Sequence, residues 1–479
     1  MKKAFYWLVV LIGLSVLACK KEQFYDGTAN LTFSADSILF DTVFTTVGST
    51  TRTLKVYNPY NQRVKISDIR IKKGEASMFR MNVDGVSGLV VKDAEIRPKD
   101  SLFIFIEVTV DPTNSNNPLV ETDAIQFTTN GTVQEIALMA WGQDAIFVVP
   151  DQFIQGLPPF KILDDNTIWT FEKPVVIYGY AVVDSTRKLT IEANTQVHFH
   201  SGGGLWVYRG GQLIVNGEPN APVVFQGDRL EEIYEDEPGQ WDRIWINEGN
   251  QNSSIKHAII KNSFIGIQAE TLVLTEADLT KPSSSNWLEL DNVIVEHASG
   301  YGLFARNYRV RATNCLFSDA GLYSVGITGG GQYDFKHVTI GNYWSESTRQ
   351  TPAFYMSNTY ELPRNVINIR PIGPSQFTNC IIYGVNDTEF DVAFDDQAPV
   401  DVQFNNCIIK TTVDVSDPDF FTNISTNSDP RFVDPQALDF HLNQGSPAIN
   451  AGNAIGVFED LDGNARDGQP DLGCYEFVP

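Results

Sequence analysis

The residues that could do chemistry in this 479-residue chain are few and loosely grouped. Asp395-Asp396 is the best paired carboxylate for acid–base work. Hydrolysis of a glycosidic bond takes two carboxyls set across that bond at about 5–9 Å. Neighbours on one loop rarely give that, so the pair reads as a solvated loop. Glu231, Glu232, Glu235, Asp236 and Glu237 form an acidic loop that could attract Ca2+, although such runs are usually only solvated. Asp460, Asp462 and Asn464 offer oxygen ligands for Ca2+, but the spacing is not that of a twelve-residue EF loop, and a capping turn explains it better. His198 and His200 alternate on one strand face without a third metal ligand in view. Beyond Ca2+ at the 460–464 turn no cofactor is expected, and no residue is assigned to catalysis.

A binding surface has better support. By strand alternation Leu205, Val207, Ile244, Ile246 and Leu288 point inward, which turns Trp206, Tyr208, Trp245 and Trp287 outward. Large aromatics on the outside of a sheet are what sugar rings or a protein partner stack against. The competing reading packs them beneath the acidic loop, an insertion at 271–285, or the first domain.

What positions these residues is a repeat. Six segments align on an Asn or His: His257, Asn292, Asn314, His337, Asn379 and Asn406. Two residues before each, and one and three residues after it, the side chain is apolar or Cys in every segment. The residue immediately before is never hydrophobic. Neighbouring copies lie 35, 22, 23, 42 and 27 residues apart; the two long gaps hold insertions, at about 271–285 and 343–370, and the underlying repeat is 22 to 23 residues. A period of this size is one coil of a right-handed parallel β-helix. Apolar residues at both −2 and +1 break simple alternation, so the chain must bend at the Asn or His. Both residue types tolerate the left-handed backbone such a bend needs, and stacked Asn side chains can hydrogen-bond along the coil axis. Cys315, Cys380 and Cys407 follow the bend directly and read as small buried fillers. A Cys380–Cys407 disulfide between adjacent coils is an alternative, and Cys474 stands apart from the pattern.

Upstream, period-two runs such as Leu54-Lys55-Val56, Ile69-Arg70-Ile71 and Ile106-Glu107-Val108 are separated by turns at Asn58-Pro59, Asp84-Gly85 and Asn130-Gly131. They predict an immunoglobulin-like β-sandwich over 31–148, ahead of a β-helix over 149–479. The fold class is therefore all-β. Net charge is −24, from 59 acidic against 35 basic residues, which argues against nucleic acid as a partner. At the N-terminus, Lys2-Lys3 precede an apolar run from Ala4 to Ala18, too short for a stable membrane span.

Three resemblances follow from these phrases. Val16-Leu17-Ala18-Cys19 resembles a bacterial lipobox, which implies a signal peptide at 1–18, lipidation of Cys19, a tether over 19–30 and an outer-membrane anchor. The order Val47-Gly48 to Asn58, Pro98 to Ser101 and Leu138 to Gly142 resembles the hydin-like immunoglobulin domains of bacterial surface proteins. The segment from Ser428 to Glu476, with Gly445-Ser446-Pro447-Ala448 and Asp460-Leu461-Asp462-Gly463, resembles the closing phrase of secreted, Bacteroidetes-like β-helix proteins of the choice-of-anchor type. That superfamily spans lyases, hydrolases, adhesins and scaffolds, so the resemblance implies the fold and leaves the activity open. The Gly-His-Gly and Arg-Ile-Lys phrases of β-helix glycosidases do not occur in this chain's repeat region. The expected function is that of a non-catalytic, membrane-anchored binding or scaffold protein for a glycan or a protein partner. The alternatives are a polysaccharide lyase or glycosidase, and an accessory subunit of an outer-membrane complex. A convergent Asp/Arg/Lys cluster in a groove would favour the enzyme.

Overall fold

The computed structural model describes residues 23–44, 48–110, 119–273, 278, 280–362 and 366–479. The expected signal peptide, Cys19 and Val47 lie outside the described residues. The described chain is all-β apart from short 3-10 turns, and it forms two compact units, Met1–Asp144 and Ala145–Pro479. Among the described residues no helix is long and apolar enough to cross a membrane.

The first unit contains two five-stranded sheets. One orders its strands as 32–33, 52–57, 101–108, 79–83 and 86–88, all antiparallel. In the other, Ser37–Phe44 pairs in parallel with Thr132–Gln143, and the strands 119–129, 64–71 and 90–96 continue it antiparallel. Period-two patterning accounts for the core: along Ser101–Val108 the residues Leu102, Ile104, Ile106 and Val108 are buried while those between them are not. Gly142 is needed for close approach, because a Cβ there would sit 2.5 Å from Cγ1 of Val110.

The second unit is a parallel stack. Ile146–Val148 pairs with Val175–Ile177, Phe160–Ile162 with Tyr180–Val183, and Thr167–Trp169 with Lys188–Glu192. In these opening coils each strand thus meets the third strand after it, and the chain winds through three strands per coil; from Val223–Gly227 on, where strands run through the bend, the partner is the second strand after. Because Ile146–Val148 pairs in this stack, the division falls at Asp144 and not at residue 148 as expected.

The repeat reading matches the packing. Every inward position of the six segments is buried, from Ile255, Ala258 and Ile260 to Phe404, Cys407 and Ile409. All six bend residues have positive φ, from 43° at His257 to 57° at Asn379. Their side chains do two jobs. Asn379 Nδ2 bonds to His337 Nε2 of the preceding coil at 2.9 Å, along the coil axis as expected. Three bend residues also reach outward to the C-terminal segment: Asn314 donates to the Glu459 carbonyl (2.8 Å), Asn379 to that of Asn453 (2.8 Å) and Asn406 to that of Ala451 (3.3 Å), while Asn292 donates to Asp291 Oδ1 (3.2 Å). His337 Nδ1 lies 3.1 Å from the Asp471 carbonyl. The closing segment also brings Leu442, Ala448, Leu472 and Cys474 into a satellite core with Leu316, Ile381 and Ile408. Cys315, Cys380, Cys407 and Cys474 are buried and free, so the Cys380–Cys407 disulfide is not formed.

Candidate functional site

The aromatic face lies where parity puts it, outside the coil interior, but it is not an open strip. Leu205, Val207, Ile244, Ile246 and Leu288 are fully buried inside. Trp206 and Trp245 are partners in the parallel register and stack on each other, 4.6 Å between centroids and 10° between planes. Coils repeat at about 4.8 Å, close to a ring-stacking distance, so equivalent aromatics in successive coils cover one another's faces. Tyr208 packs edge-on against Trp206, and Leu272 from the start of the 271–285 insertion joins the same cluster. Trp206 is left 5% exposed. Both indole N–H groups are taken, by Asn247 Oδ1 and Glu270 Oε1, each at 2.7 Å. Glu270 is itself buried and further held by Gln268 (2.8 Å) and Arg306. Trp206 is therefore buried, with Tyr208 and Trp245 partly buried against it.

The other sequence candidates have structural employment. Asp460 accepts from the backbone N–H of Asp462 (3.0 Å), Asn464 (2.7 Å) and Glu476 (2.8 Å) and from the Asn464 amide (3.1 Å). It is a capping turn, with Asp462 turned to His441 at 2.8 Å. His198 is buried with Nδ1 3.0 Å from the Gly227 carbonyl, and burial lowers its pKa to about 4; His200 pairs with Asp228 at 2.7 Å. Asp395 caps its own turn through Gln397 N–H (2.9 Å), and Asp396 is exposed. The 231–237 loop is fixed by its carbonyls, which accept from Asn262 and Gln240, while Glu232, Glu235, Asp236 and Glu237 are exposed. Among the described residues no group of three or more His, Cys, Asp or Glu is placed to hold a metal ion.

The fourth aromatic leads to a different face. Leu288 and Leu290 point inward, so Trp287, Glu289 and Asp291 share the outer side of one strand. One coil on, Val310 and Ala312 point inward and Arg309, Arg311 and Thr313 outward. On the next coil Tyr333 and Phe335 point inward and Gln332, Asp334 and Lys336 outward. The register sets these in columns: Glu289 beside Arg311 beside Asp334, and Lys256 beside Asp291 beside Thr313 beside Lys336. Unlike charges alternate along the first column, with Arg311 3.6 Å from Glu289 and 3.9 Å from Asp334. The Arg311 guanidinium also lies over the Trp287 ring, 4.0 Å from its centroid.

Residues 455–459 of the closing segment overhang this face, with Glu459 tied down by Asn314 and Phe458 77% exposed. Between the overhang and Lys256, Glu289, Asp291, Arg311 and Lys336 lies a cavity of about 620 Å3. Two smaller concavities adjoin the same sheet. One, of about 380 Å3, is lined by Lys188 and Gln212; the other, of about 270 Å3, by Arg309 and Gln332. Burial raises the pKa of Asp291, against the pull of Lys256 and His257. Asn252 Nδ2 donates to Glu289 Oε1 at 2.9 Å.

Sequence reasoning named Trp287 and missed the charged residues around it. Their signal was present: the position before each bend is Lys256, Asp291, Thr313, Lys336, Thr378 and Asn405, never hydrophobic. Two residues earlier stand Ser254, Glu289, Arg311, Asp334, Gln376 and Gln403.

No protein-family model matches the chain, and no curated protein matches it. Among solved structures it is similar to the catalytic unit of a thermostable GH87 alpha-1,3-glucanase from Streptomyces thermodiastaticus strain HF3-3. Identity there is 11% and the TM-score 0.25, over 78% of this chain and 90% of that one. It is also similar to a family 123 glycoside hydrolase from Clostridium perfringens, with 7% identity and a TM-score of 0.18. That match covers 29% of this chain and only 30% of the hydrolase. At TM-scores this low neither likeness bears on the residues described above.

Proposed function

We propose that the chain is an outer-membrane lipoprotein, anchored through Cys19, whose immunoglobulin-type sandwich precedes a right-handed parallel β-helix that binds a polymeric glycan. The observation that carries the binding reading is the overhung face on which Trp287, Arg311 and the Glu289/Asp291 row converge. The Trp287 indole, with the Arg311 guanidinium over its ring, sets an apolar group next to hydrogen-bond donors that a sugar could use. Alternating carboxylates and cations supply acceptors and donors for sugar hydroxyls at the coil period. Three concavities along one sheet suit a long chain better than a compact ligand. The acidic balance of the whole chain disfavours polyanions. Affinity electrophoresis of a form lacking the first 19 residues, in gels cast with soluble polysaccharides, tests the reading. Retardation by at least one polysaccharide is expected, with Trp287→Ala and Arg311→Ala each weakening it while the melting temperature holds. Retardation untouched by both substitutions would move the site elsewhere. For the anchor, metabolic labelling with a fatty-acid analogue should mark the full-length protein and not Cys19→Ala.

A further inference from the structure

Resting on the glycan-binding reading, we propose that the bound polysaccharide is sparsely acidic, and that the two smaller concavities on the sheet, one beside Arg187 and Lys188 and the other beside Arg309, are the subsites for its anionic substituents. The three concavities differ in charge. The central one sets Glu289, Asp291 and Glu459 against Lys256, Arg311 and Lys336. The other two have no Asp or Glu in their lining. Arg187, Lys188, Gln212 and Asn250 stand in one, and Arg309, Gln332 and Arg370 in the other. In a chain of net charge −24, two linings of that kind mark where a ligand can bring negative charge.

The two concavities are joined by one column of outward side chains. Lys188 pairs with Gln212 in the parallel register, Gln212 Nε2 donates to the Asn252 carbonyl at 2.8 Å, and Asn252 Oδ1 accepts from the backbone N–H of Trp287 at 2.9 Å. The Arg309 guanidinium follows, 5.8 Å from the Trp287 ring centroid, and Arg309 pairs with Gln332. No carboxylate stands in this column, whereas its neighbour alternates Glu289, Arg311 and Asp334. Lys188 and Arg309 are four coils apart, about 19 Å along the stack, with Trp287 between them.

The cations at the two ends are not neutralised. Among the described residues Arg187, Lys188 and Arg309 form no ion pair, in contrast to Arg311 and Lys336. Arg187 donates to the Leu163 carbonyl and Arg309 to that of Ser285 (3.2 Å). Contacts with neutral carbonyls orient the guanidinium planes and leave their charge uncompensated. All three side chains are half-buried, where salt screens a charge less than on an open surface. A guanidinium fork and an ammonium suit the oxygens of a carboxylate or a sulfate, through charge-assisted hydrogen bonds. The rest of the face sets the charge density. A polymer with an anion on every sugar would press several against Glu289, Asp291 and Glu459, and against the charge of the whole chain. A neutral backbone with widely spaced acids offers hydroxyls to the central cavity and its charges to the flanking cations.

The test is titration calorimetry of the full-length protein with glucuronoxylan, the same xylan after its carboxyls are reduced to alcohols, lightly sulfated dextran, unmodified dextran and polygalacturonate. At least one sparsely acidic polymer should bind about tenfold or more tightly than its neutral counterpart, and the two pairs tell carboxylate from sulfate. Lys188→Gln and Arg309→Gln should each weaken binding of the acidic form by about tenfold and leave the neutral form and the melting temperature unchanged. Arg309→Lys, which keeps the charge, should retain most of the preference. Equal affinity for acidic and neutral forms overturns the proposal and leaves the binding reading standing. So does a preference that survives both substitutions to Gln, or tightest binding to polygalacturonate. Absence of binding to every polymer, charged or neutral, would instead overturn both.

Discussion

Two outer faces of the same coil follow one geometric rule to opposite ends. Side chains in register repeat at about 4.8 Å along the stack. On the face with Trp206 and Trp245, like meets like: the rings stack at 4.6 Å, their N–H groups are satisfied by Asn247 and Glu270, and Trp206 is buried. On the face with Glu289, Arg311 and Asp334, unlike meets unlike, and the ion pairs are longer and open to solvent. Register similarity therefore builds structure, whereas register contrast leaves a polar surface that a partner can use. Aromatic residues on a sheet exterior signal binding only where the neighbouring coil does not supply a second ring.

The sharpest break between the faces is energetic. Trp206→Ala should cost about 3–5 kcal/mol in urea unfolding, as large aromatic deletions from packed sites do. It should rank beside Phe404→Ala, whose ring is 1% exposed and stacks on Phe377 at 4.6 Å. Trp287→Ala, on the groove side, should change stability by about 1 kcal/mol or less. Its effect belongs on affinity, with a loss near tenfold, or about 1.4 kcal/mol.

Acid should act on the closing segment that roofs the groove. With Nδ1 facing the Asp471 carbonyl as donor, His337 Nε2 accepts from Asn379, so the ring must be neutral. Burial and then Arg466 lower its pKa to about 3. A histidine depressed in the folded state stabilises above its unfolded value near 6.5 and loses that contribution as pH falls towards 3. Hydrogen exchange should show the 445–475 segment loosening across this window, and His337→Gln should remove part of the fall. His198, with a pKa of about 4, adds to global acid lability in the same direction.

The smallest effect has the opposite sign. The Asp462 hydrogen bond, with help from Asp439, raises His441 to about 9. Its contribution is complete below about 6.5 and disappears as pH rises through about 9. Two-fifths exposure keeps the term small, so His441→Asn should flatten the alkaline limb only slightly in melts at low salt.

The bends and the coil interior were legible because both obey local rules. Positive φ selects Asn or His, and apolar residues at −2, +1 and +3 must face inward. The sheets of the first unit were legible from alternation for the same reason. The charged groove was not, although its residues occupy two aligned columns, because outward positions tolerate many residue types. Which charge meets which depends on a register that the insertions shift. The overhang was further from view still, since Glu459 is tied to Asn314 across 145 positions. Which of the two readings of the outward Trp206 holds, platform or packing, was not legible either, because parity on one strand does not say that the next coil sets Trp245 against it.

The bonds that fasten the closing segment join residues 45 to 152 positions apart. Closing such long loops is entropically costly, and contacts of high sequence separation form late. Each coil, by contrast, can settle on the one before it as soon as some two dozen residues are in place. The order of assembly is therefore directional: Trp206 and Trp245 meet early, while residues 455–459 dock only after the strands carrying Asn314, Asn379 and Asn406 exist. Until then the early coils stand without the 455–459 overhang, and the cavity beside Trp287 is complete only once the C-terminal segment has latched.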